Sequence, residues 1–376
     1  MRAAVLGEAF PRAAEIVDDV RARGDAAVLE WSERLGGGAA SLRVDADAIG
    51  EAALDERALA AVRSLAAAVE AVHAAQRPAD TTVSPVPGVT VERRFVPVDS
   101  VGIYVPAGLV SSLVMTAVPA RLAGVPRIAV ATPAPSPALL ATARELGLDE
   151  VYAIGGAQAV AALAFGTETV PAVAKIVGPG NRWVTAAKLL VSGTVAIDLP
   201  AGPSEVLVIA DASADPGECA ADLLAQGEHG ADSEAILVTT SPELAAAVAA
   251  RVDGRSRIET VGSLAEALER ANDYAPEHLE LLVEDPDGAA AAVRNAGSVF
   301  LGTTAVLGDY ASGANHVLPT GGLARGAGGL GLEAFLKPVQ TVRATRAGLD
   351  GLRETVAALA ELEGLPLHAA AVAARA

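Results

Sequence analysis

Residues 127–156 run RIAVATPAPSPALLATARELGLDEVYAIGG, and this stretch decides the fold. Arg127–Thr132 is a short apolar run of strand character, and Pro137 to Leu146 has the alanine- and leucine-rich texture of a helix. Val151–Ile154 then predicts a second strand that enters Gly155-Gly156, with Gln158 to Phe165 as the next helix. Strands alternating with helices of this length predict βαβ units and mostly parallel sheets.

Working outward, Lys175–Val177 reads as a strand ending in Gly178-Pro179-Gly180-Asn181. A second series follows in Glu205–Ala210 (EVLVIA), Ala235–Thr239 (AILVT) and Ser298–Leu301 (SVFL), with helices from Glu218 to Glu228 and from Pro242 to Arg251. The first hundred residues look helical, as in Arg12 to Arg23 and Glu56 to Gln76. The tail from about Phe335 is expected to be helical and to end without a strand. The prediction is an α/β chain with two Rossmann-like parallel-sheet domains, each an incomplete Rossmann fold, plus small helical N- and C-terminal extensions. Residues 1–103 with 206–325 are expected to form the first domain, 104–205 the second, and 326–376 a helical tail.

Composition bounds the function. Hydrophobic residues make up 52% of 376, but alanine is the commonest of them and aromatics are only 3% of the chain. The charge-free stretch from Val101 to Ala120 is long enough for a bilayer. It carries Pro106, Pro119, Gly102 and Gly108, which would break or strain a lipid-exposed helix, so it reads as buried strand, loop and helix. No apolar leader develops before Glu8, so a cytoplasmic location is expected. The net charge of −18 argues against nucleic acid, whose phosphates it would repel. A single cysteine, Cys219, rules out an internal disulfide and any thiolate metal cluster.

Gly326, Gly328 and Gly331 fit G-x-G-x-x-G, but that motif needs a strand before it and Pro319-Thr320-Gly321-Gly322 reads as loop. A glycine-rich loop is the preferred reading. Of the five histidines, His73 sits in a helical stretch and reads as structural. Gln226 and His229 lie three apart near a helix end, where both side chains point the same way; alternatively His229 closes that helix with Gly230 as the stop. Asp309 and His316 follow the strand ending at Leu301, on what reads as loop, where catalytic groups commonly sit, but taken alone an Asp with Gly and Ser beside it reads as ordinary turn chemistry. Glu277-His278 offers adjacent acid and base, since a neutral imidazole can take an alcohol's proton as hydride leaves carbon. The competing reading is a helix start with Pro276 at its first position. Cys219, in an alanine-rich helix beside Glu218, is a poor place for a reactive thiolate and reads as a buried structural thiol.

In combination these segments resemble histidinol dehydrogenase, from about Arg23-Gly24-Asp25 to His368. The most specific stretches are Val101–Pro106 (VGIYVP), Gly155–Ala159 (GGAQA), Gly178–Asn181 (GPGN), Asp198–Glu205 (DLPAGPSE), Pro276–Leu279 (PEHL) and Gly308–Thr320 (GDYASGANHVLPT). The resemblance implies one zinc ion per subunit held by Gln226, His229, Asp309 and His368. Few cysteines and an open set of nitrogen and oxygen donors suit a metal that orients substrate. It implies His278 as the base for alcohol oxidation and Glu277 as the group that activates water to hydrate the aldehyde. Substrate contacts are implied at Ser204, Gln226, His229, His278, Asp309, His316, Glu363 and His368, and NAD contacts at Tyr104, Gln158 and Asn181. The reaction implied is L-histidinol to L-histidine with two NAD reduced. A homodimer is also implied, with Glu363 and His368 of one tail completing the other subunit's site.

The chain departs from the family pattern in a short N-terminus, an abbreviated loop after Pro106, a reduced segment between Arg251 and Asn272, and Gly227 in place of the usual alanine. That glycine is expected to loosen its helix by ~1 kcal/mol. Two rival readings are a sister enzyme oxidising another polar alcohol, such as a sulfonated diol, and a non-catalytic zinc-binding scaffold.

Overall fold

The structure is a computed structural model describing residues 7–35 and 41–375. Residues 1–6, which bear on the leader argument, and 36–40 and 376, which fall within the expected domains, lie outside the described residues.

In chain order, four helices come first: α1 (Ala9–Arg23), α2 (Asp25–Arg34), α3 (Ala46–Glu51) and α4 (Glu56–Ala74). Strands β1 (Thr81–Val86), β2 (Val89–Pro97) and β3 (Val101–Tyr104) follow. Alternation then begins with α5 (Val110–Ala123), β4 (Ile128–Thr132), α6 (Pro137–Glu145), β5 (Val151–Ala153) and α7 (Gly156–Phe165). It continues through β6 (Lys175–Val177), α8 (Arg182–Val191), β7 (Ala196–Ile197), β8 (Glu205–Ala210) and α9 (Pro216–Gln226). Next come β9 (Glu234–Thr239), α10 (Pro242–Ala249), β10 (Arg257–Thr260), α11 (Leu264–Tyr274) and β11 (His278–Leu282). The chain closes with α12 (Pro286–Ala290), β12 (Ser298–Leu301), α13 (Val306–Tyr310), β13 (Leu336–Ala344), α14 (Arg346–Leu362) and α15 (Pro366–Ala373).

Two compact units result, one of Met1–Gln76 with Val98–Phe335 and one of Arg77–Pro97 with Leu336–Ala376. The first unit holds two five-stranded parallel sheets, ordered β5-β4-β3-β6-β7 and β10-β9-β8-β11-β12. Each sheet starts at its centre, grows to one side, then reverses to the other, which is the Rossmann order lacking its sixth strand. The two incomplete Rossmann sheets expected from the sequence are therefore present. β3 and β8 are buried along their whole length, as strands covered by helices on both faces must be. Val101 to Ala120 resolves into β3, a turn and most of α5. Among the described residues no helix is long and apolar enough to cross a membrane.

Several expectations need correction. A boundary at 103/104 would cut β3, and the N-terminal helices do not side with 206–325. Val20, Val28 and Trp31 share a core with Val160, Ile176 and Val184, so α1 and α2 pack with α7 and α8 on the first sheet. Helical periodicity could not reveal this, because it marks which face is buried but not against what. Residues 81–97 are strands, and the tail opens with a strand too. In the second unit, β13 pairs antiparallel with β2 from Leu336↔Pro97 to Ala344↔Val89, and β1 pairs with β2 across a turn at Pro87-Gly88. Gly88 has φ +76, a conformation glycine adopts without steric cost. The β-branched Val339, Thr341 and Val342 suit a strand, but their ladder partners lie some 250 residues away. The tail then becomes helical as expected, with Thr345 capping α14 at Gly348 N–H.

Candidate active site

The two sheets of the first unit flank a cavity of ≈ 370 Å³ with opposite ends. Pro106, Pro179, Gly180 and Asn181 line it from the carboxyl ends of β3 and β6, where ligands of open α/β sheets usually bind. Ser204, Glu277 and His278 line it from the amino ends of β8 and β11. His229, Asp309 and His316 complete the polar wall.

Pro276 does not open a helix. Ala275 closes α11 in the left-handed region (φ 54), the one non-glycine residue there among those described, and the chain enters β11 at His278. The strand wins because His278 pairs with both Val206 of β8 and Ser298 of β12. That register sets the imidazole against the start of β8, where its Nδ1 lies 3.3 Å from the Glu205 carbonyl oxygen. A carbonyl only accepts, so Nδ1 carries a proton, and it is Nε2 that presents the lone pair when the ring is neutral. Nε2 is buried and has no hydrogen-bond partner. An unpartnered imidazole nitrogen beside a cavity is what an alcohol proton needs.

Glu277 is anchored through Oε2, which accepts from Ser204 Oγ at 2.7 Å and Glu205 N–H at 2.9 Å and stands 3.5 Å from His278 Nδ1. Burial disfavours the imidazolium, yet the Glu277 carboxylate, with Asp309 beyond it, outweighs this and raises the His278 pKa to about 9. A base must be neutral to act, so a cation beside Asp309 would offset one of the charges that keep this ring protonated.

Asp309 sits on α13 rather than in a loop. This short helix turns back along β12, with Gly308 against the Phe300 ring, where a Cβ would stand 2.8 Å from it. Asp309 Oδ2 lies 3.9 Å from His229 Nε2 and Oδ1 lies 3.6 Å from His316 Nδ1. Burial works against the Asp309 carboxylate, but His316 and the other nearby imidazoles hold its pKa below the usual value. His316 Nε2 meets Ser112 Oγ at 3.1 Å. Gln226 ends α9 and His229 ends a 3₁₀ turn over Gly227–His229, whose three-residue period aligns side chains three apart. Gly227 thus stands at a helix end, so the interior-glycine cost does not apply in full.

The Gln226 side-chain Nε2 is buried without a partner. Among the described residues no cluster of three or more His, Cys, Asp or Glu could hold a metal ion. His229 Nε2 and Asp309 Oδ2, 3.9 Å apart, are nitrogen and oxygen ligands of the kind a divalent ion takes, and Gln226 can join them only through its Oε1, because its Nε2 has no lone pair to give. His368 on α15 and Glu363 at the end of α14 belong to the second unit.

Of the three residues that the resemblance implies as NAD contacts, Asn181 lines the cavity and caps α8 through Trp183 N–H and Val184 N–H. Tyr104 and Gln158 are 4% and 3% exposed and sit behind the wall. The Tyr104 hydroxyl accepts from Gly156 N–H at 3.2 Å, and Gln158 Nε2 reaches Ser32 Oγ at 3.5 Å. Gly326, Gly328 and Gly331 follow a 3₁₀ turn (Leu323–Arg325), not a strand, so that fingerprint is a loop. Cys219 is buried, and burial, with Asp222 and Glu280 nearby, pushes its thiol up to about 12.

Sequence reasoning passed over Ser112, the Glu205 backbone and Asn315. Buried His73 donates from Nδ1 to Val69 O and accepts from Asn315 Nδ2 at 3.2 Å, while Asn315 also donates to Met115 O. His73 is structural, as expected, and what it supports is the segment carrying His316. The Ser112 and Asn315 pairings span 200 to 242 residues and those of the Glu205 backbone 72 and 73, with no local signal to find them by.

The histidinol dehydrogenase family model matches residues 3–376. A histidinol dehydrogenase of Rhizobium meliloti is 47% identical, covering 96% of this chain and 90% of the relative. One from Thermobifida fusca is 43% identical over 98% of this chain and 92% of the relative. The crystal structure of histidinol dehydrogenase from Elizabethkingia anophelis matches with a TM-score of 0.89 and 36% identity, covering 97% of this chain and 91% of that one.

Proposed function

The chain belongs to the histidinol dehydrogenase family, and on that premise we propose that it oxidises L-histidinol to L-histidine through the aldehyde, reducing two NAD. The observation that carries this reading is His278, whose Nδ1–H is committed to Glu205 O while Nε2 stands buried and unpartnered beside the cavity. In the first step Nε2 takes the hydroxyl proton as hydride leaves the carbinol carbon. NAD, when bound, supplies the hydride acceptor. In the second step Glu277, held by Ser204 and Glu205, takes a proton from the water that adds to the aldehyde. Once His278 has passed its first proton to solvent, the hydrate anion so formed loses a proton to Nε2 and a second hydride, leaving the carboxylate.

Gln226, His229, Asp309 and His368 would hold zinc, which when bound supplies a positive template for the amine and imidazole nitrogens of the substrate. His316, fixed by Ser112, and Ser204 would contact substrate in the cavity. Asn181 would touch the dinucleotide, with Tyr104 and Gln158 supporting the wall from behind. Glu363 and His368 would reach the site of a partner subunit. Exposed Leu359, Leu362 and Leu367 on α14 and α15 support a covered tail in a homodimer.

Zinc-loaded protein given L-histidinol and NAD should form two NADH per histidine, followed by absorbance with the product counted. One NADH per aldehyde would remove the second step. Turnover of a different polar alcohol, with none of histidinol, would move the chain to a sister activity.

A further inference from the structure

Helix α8 carries one lysine, Lys188, on its buried face. Its side chain is 2% exposed and that of its partner Asp198 is 0% exposed. Burying two charges is a poor route to stability, because apolar residues of similar volume usually serve as well or better. What such a pair does supply is direction. The Lys188 ammonium donates to Asp198 Oδ1, to Gly178 O at 3.0 Å and to Leu199 O at 2.9 Å. Asp198 Oδ2 accepts from Gly178 N–H at 2.7 Å. Both backbone groups of Gly178 are thereby tied to the backbone at 198–199.

These ties fall at the root of two cavity walls. Pro179 to Asn181 leave Gly178 directly, and Gly178 has no lateral freedom: at φ +111 an added Cβ would stand 2.2 Å from Tyr104 O. Ala201 to Ser204 leave Leu199, with Ala201 O accepting from Thr185 Oγ1 and Gly202 N–H donating to Thr320 Oγ1 at 2.6 Å. Ser204 then holds Glu277. One ion pair thus lies at the start of a bonded path from the Asn181 wall to the Glu277 carboxylate.

We propose that Lys188 and Asp198 are positioning residues, whose ion pair fixes the wall at Pro179–Asn181 relative to Ser204 and Glu277. The proposal rests on the reading that this cavity takes NAD on the Asn181 side. A fold that needed only volume at these positions would accept an apolar pair. A site that needs two loops in one register would not, since a displacement of about 1 Å costs on the order of 100-fold in rate.

The test is the double variant Lys188→Met/Asp198→Asn, which removes both charges at near-constant volume. Lys188→Met alone would leave a buried carboxylate unpaired. Parent and variant both carry Trp31→Phe, so that Trp183, two residues beyond Asn181, is the sole tryptophan of the original two. With the fold verified by circular dichroism and thermal melting, kcat/KM should fall about 10- to 100-fold. KM for NAD should rise while KM for histidinol holds, and acrylamide quenching of Trp183 should change. A purely structural pair would lower the active fraction, leaving both KM values and the Trp183 quenching as in the parent, and that result overturns the proposal. Should the double variant not fold, Asp198→Asn carries the same readouts, because it removes the carboxylate at the same volume. If the parent itself turns over no histidinol, the functional reading fails. The quenching experiment then decides the positioning claim alone: an altered Trp183 supports it and an unchanged one sinks it.

Discussion

Replacing His278 by Asn tests the base assignment at the atom on which it rests. The Asn amide can keep the bond that Nδ1 makes to Glu205 O, while the unpartnered Nε2 disappears. General-base catalysis is worth about 10²- to 10⁴-fold, so NADH formation from histidinol should fall by that range while zinc stoichiometry is retained. A second, independent readout comes from protonation in the metal-free protein. The folded-state pKa of about 9 lies above the ordinary 6.5, so the native state holds the proton more tightly than the unfolded chain does. The stabilisation is complete below pH 6.5 and disappears as pH rises through 9. With 1.36 kcal/mol per pH unit, it amounts to about 3 kcal/mol. Urea unfolding at pH 6.5, 7.5 and 9 should show the parent losing about that much and His278→Asn losing correspondingly less. Glu280 titrates in an overlapping window, so the parent-minus-variant difference is the quantity to compare. Activity within tenfold of the parent would refute the base assignment, and identical pH–stability profiles would refute the electrostatic account of the ring.

Ser204→Ala leaves Glu277 Oε2 with only the Glu205 N–H, a loss of about 1 kcal/mol of anchoring. Oxidation of supplied histidinaldehyde should fall roughly fivefold, more than the alcohol step does in single-turnover measurements. Glu280 is buried, and burial, with Asp222 nearby, lifts its pKa to about 8. A raised carboxyl favours the protonated native form, so parent stability should decline from pH 4.5 to 8; Glu280→Gln should flatten that decline in urea unfolding while staying folded at pH 7. Native Cys219, with its thiol near 12, should resist iodoacetamide at pH 8, and Cys219→Ala should keep at least half of the activity. Rapid alkylation with matching loss of NADH formation would reopen a thiohemiacetal route.

Much of this architecture is written locally. EVLVIA at 205–210 and the RIAVAT and VYAI runs announce buried parallel strands, because an uninterrupted apolar run bounded by turn residues has few other uses. The chemistry-bearing residues were legible for a different reason: Pro276–Leu279, Gly308–Thr320 and Asp198–Glu205 are motifs of scarce residue types in fixed order. Strand β11 was not legible. His278-Leu-Glu-Leu-Leu, after a proline, fits a helix start as well as a strand until β8 and β12 are placed on either side. The strand at 336–344 failed likewise, since its ladder belongs to residues 89–97.

By itself the sequence determined the fold class, the family motifs and the residue types able to bind metal and move protons, because composition, periodicity and motif order are local properties of the chain. Only the tertiary structure decided which nitrogen of His278 is left without a hydrogen-bond partner, that Asn181 lines the cavity while Tyr104 and Gln158 are buried away from it, and that a buried ion pair joins Gly178 to the segment at 198–199. Those facts depend on strand register and on contacts between residues far apart in sequence, and register is set by what each strand finds beside it.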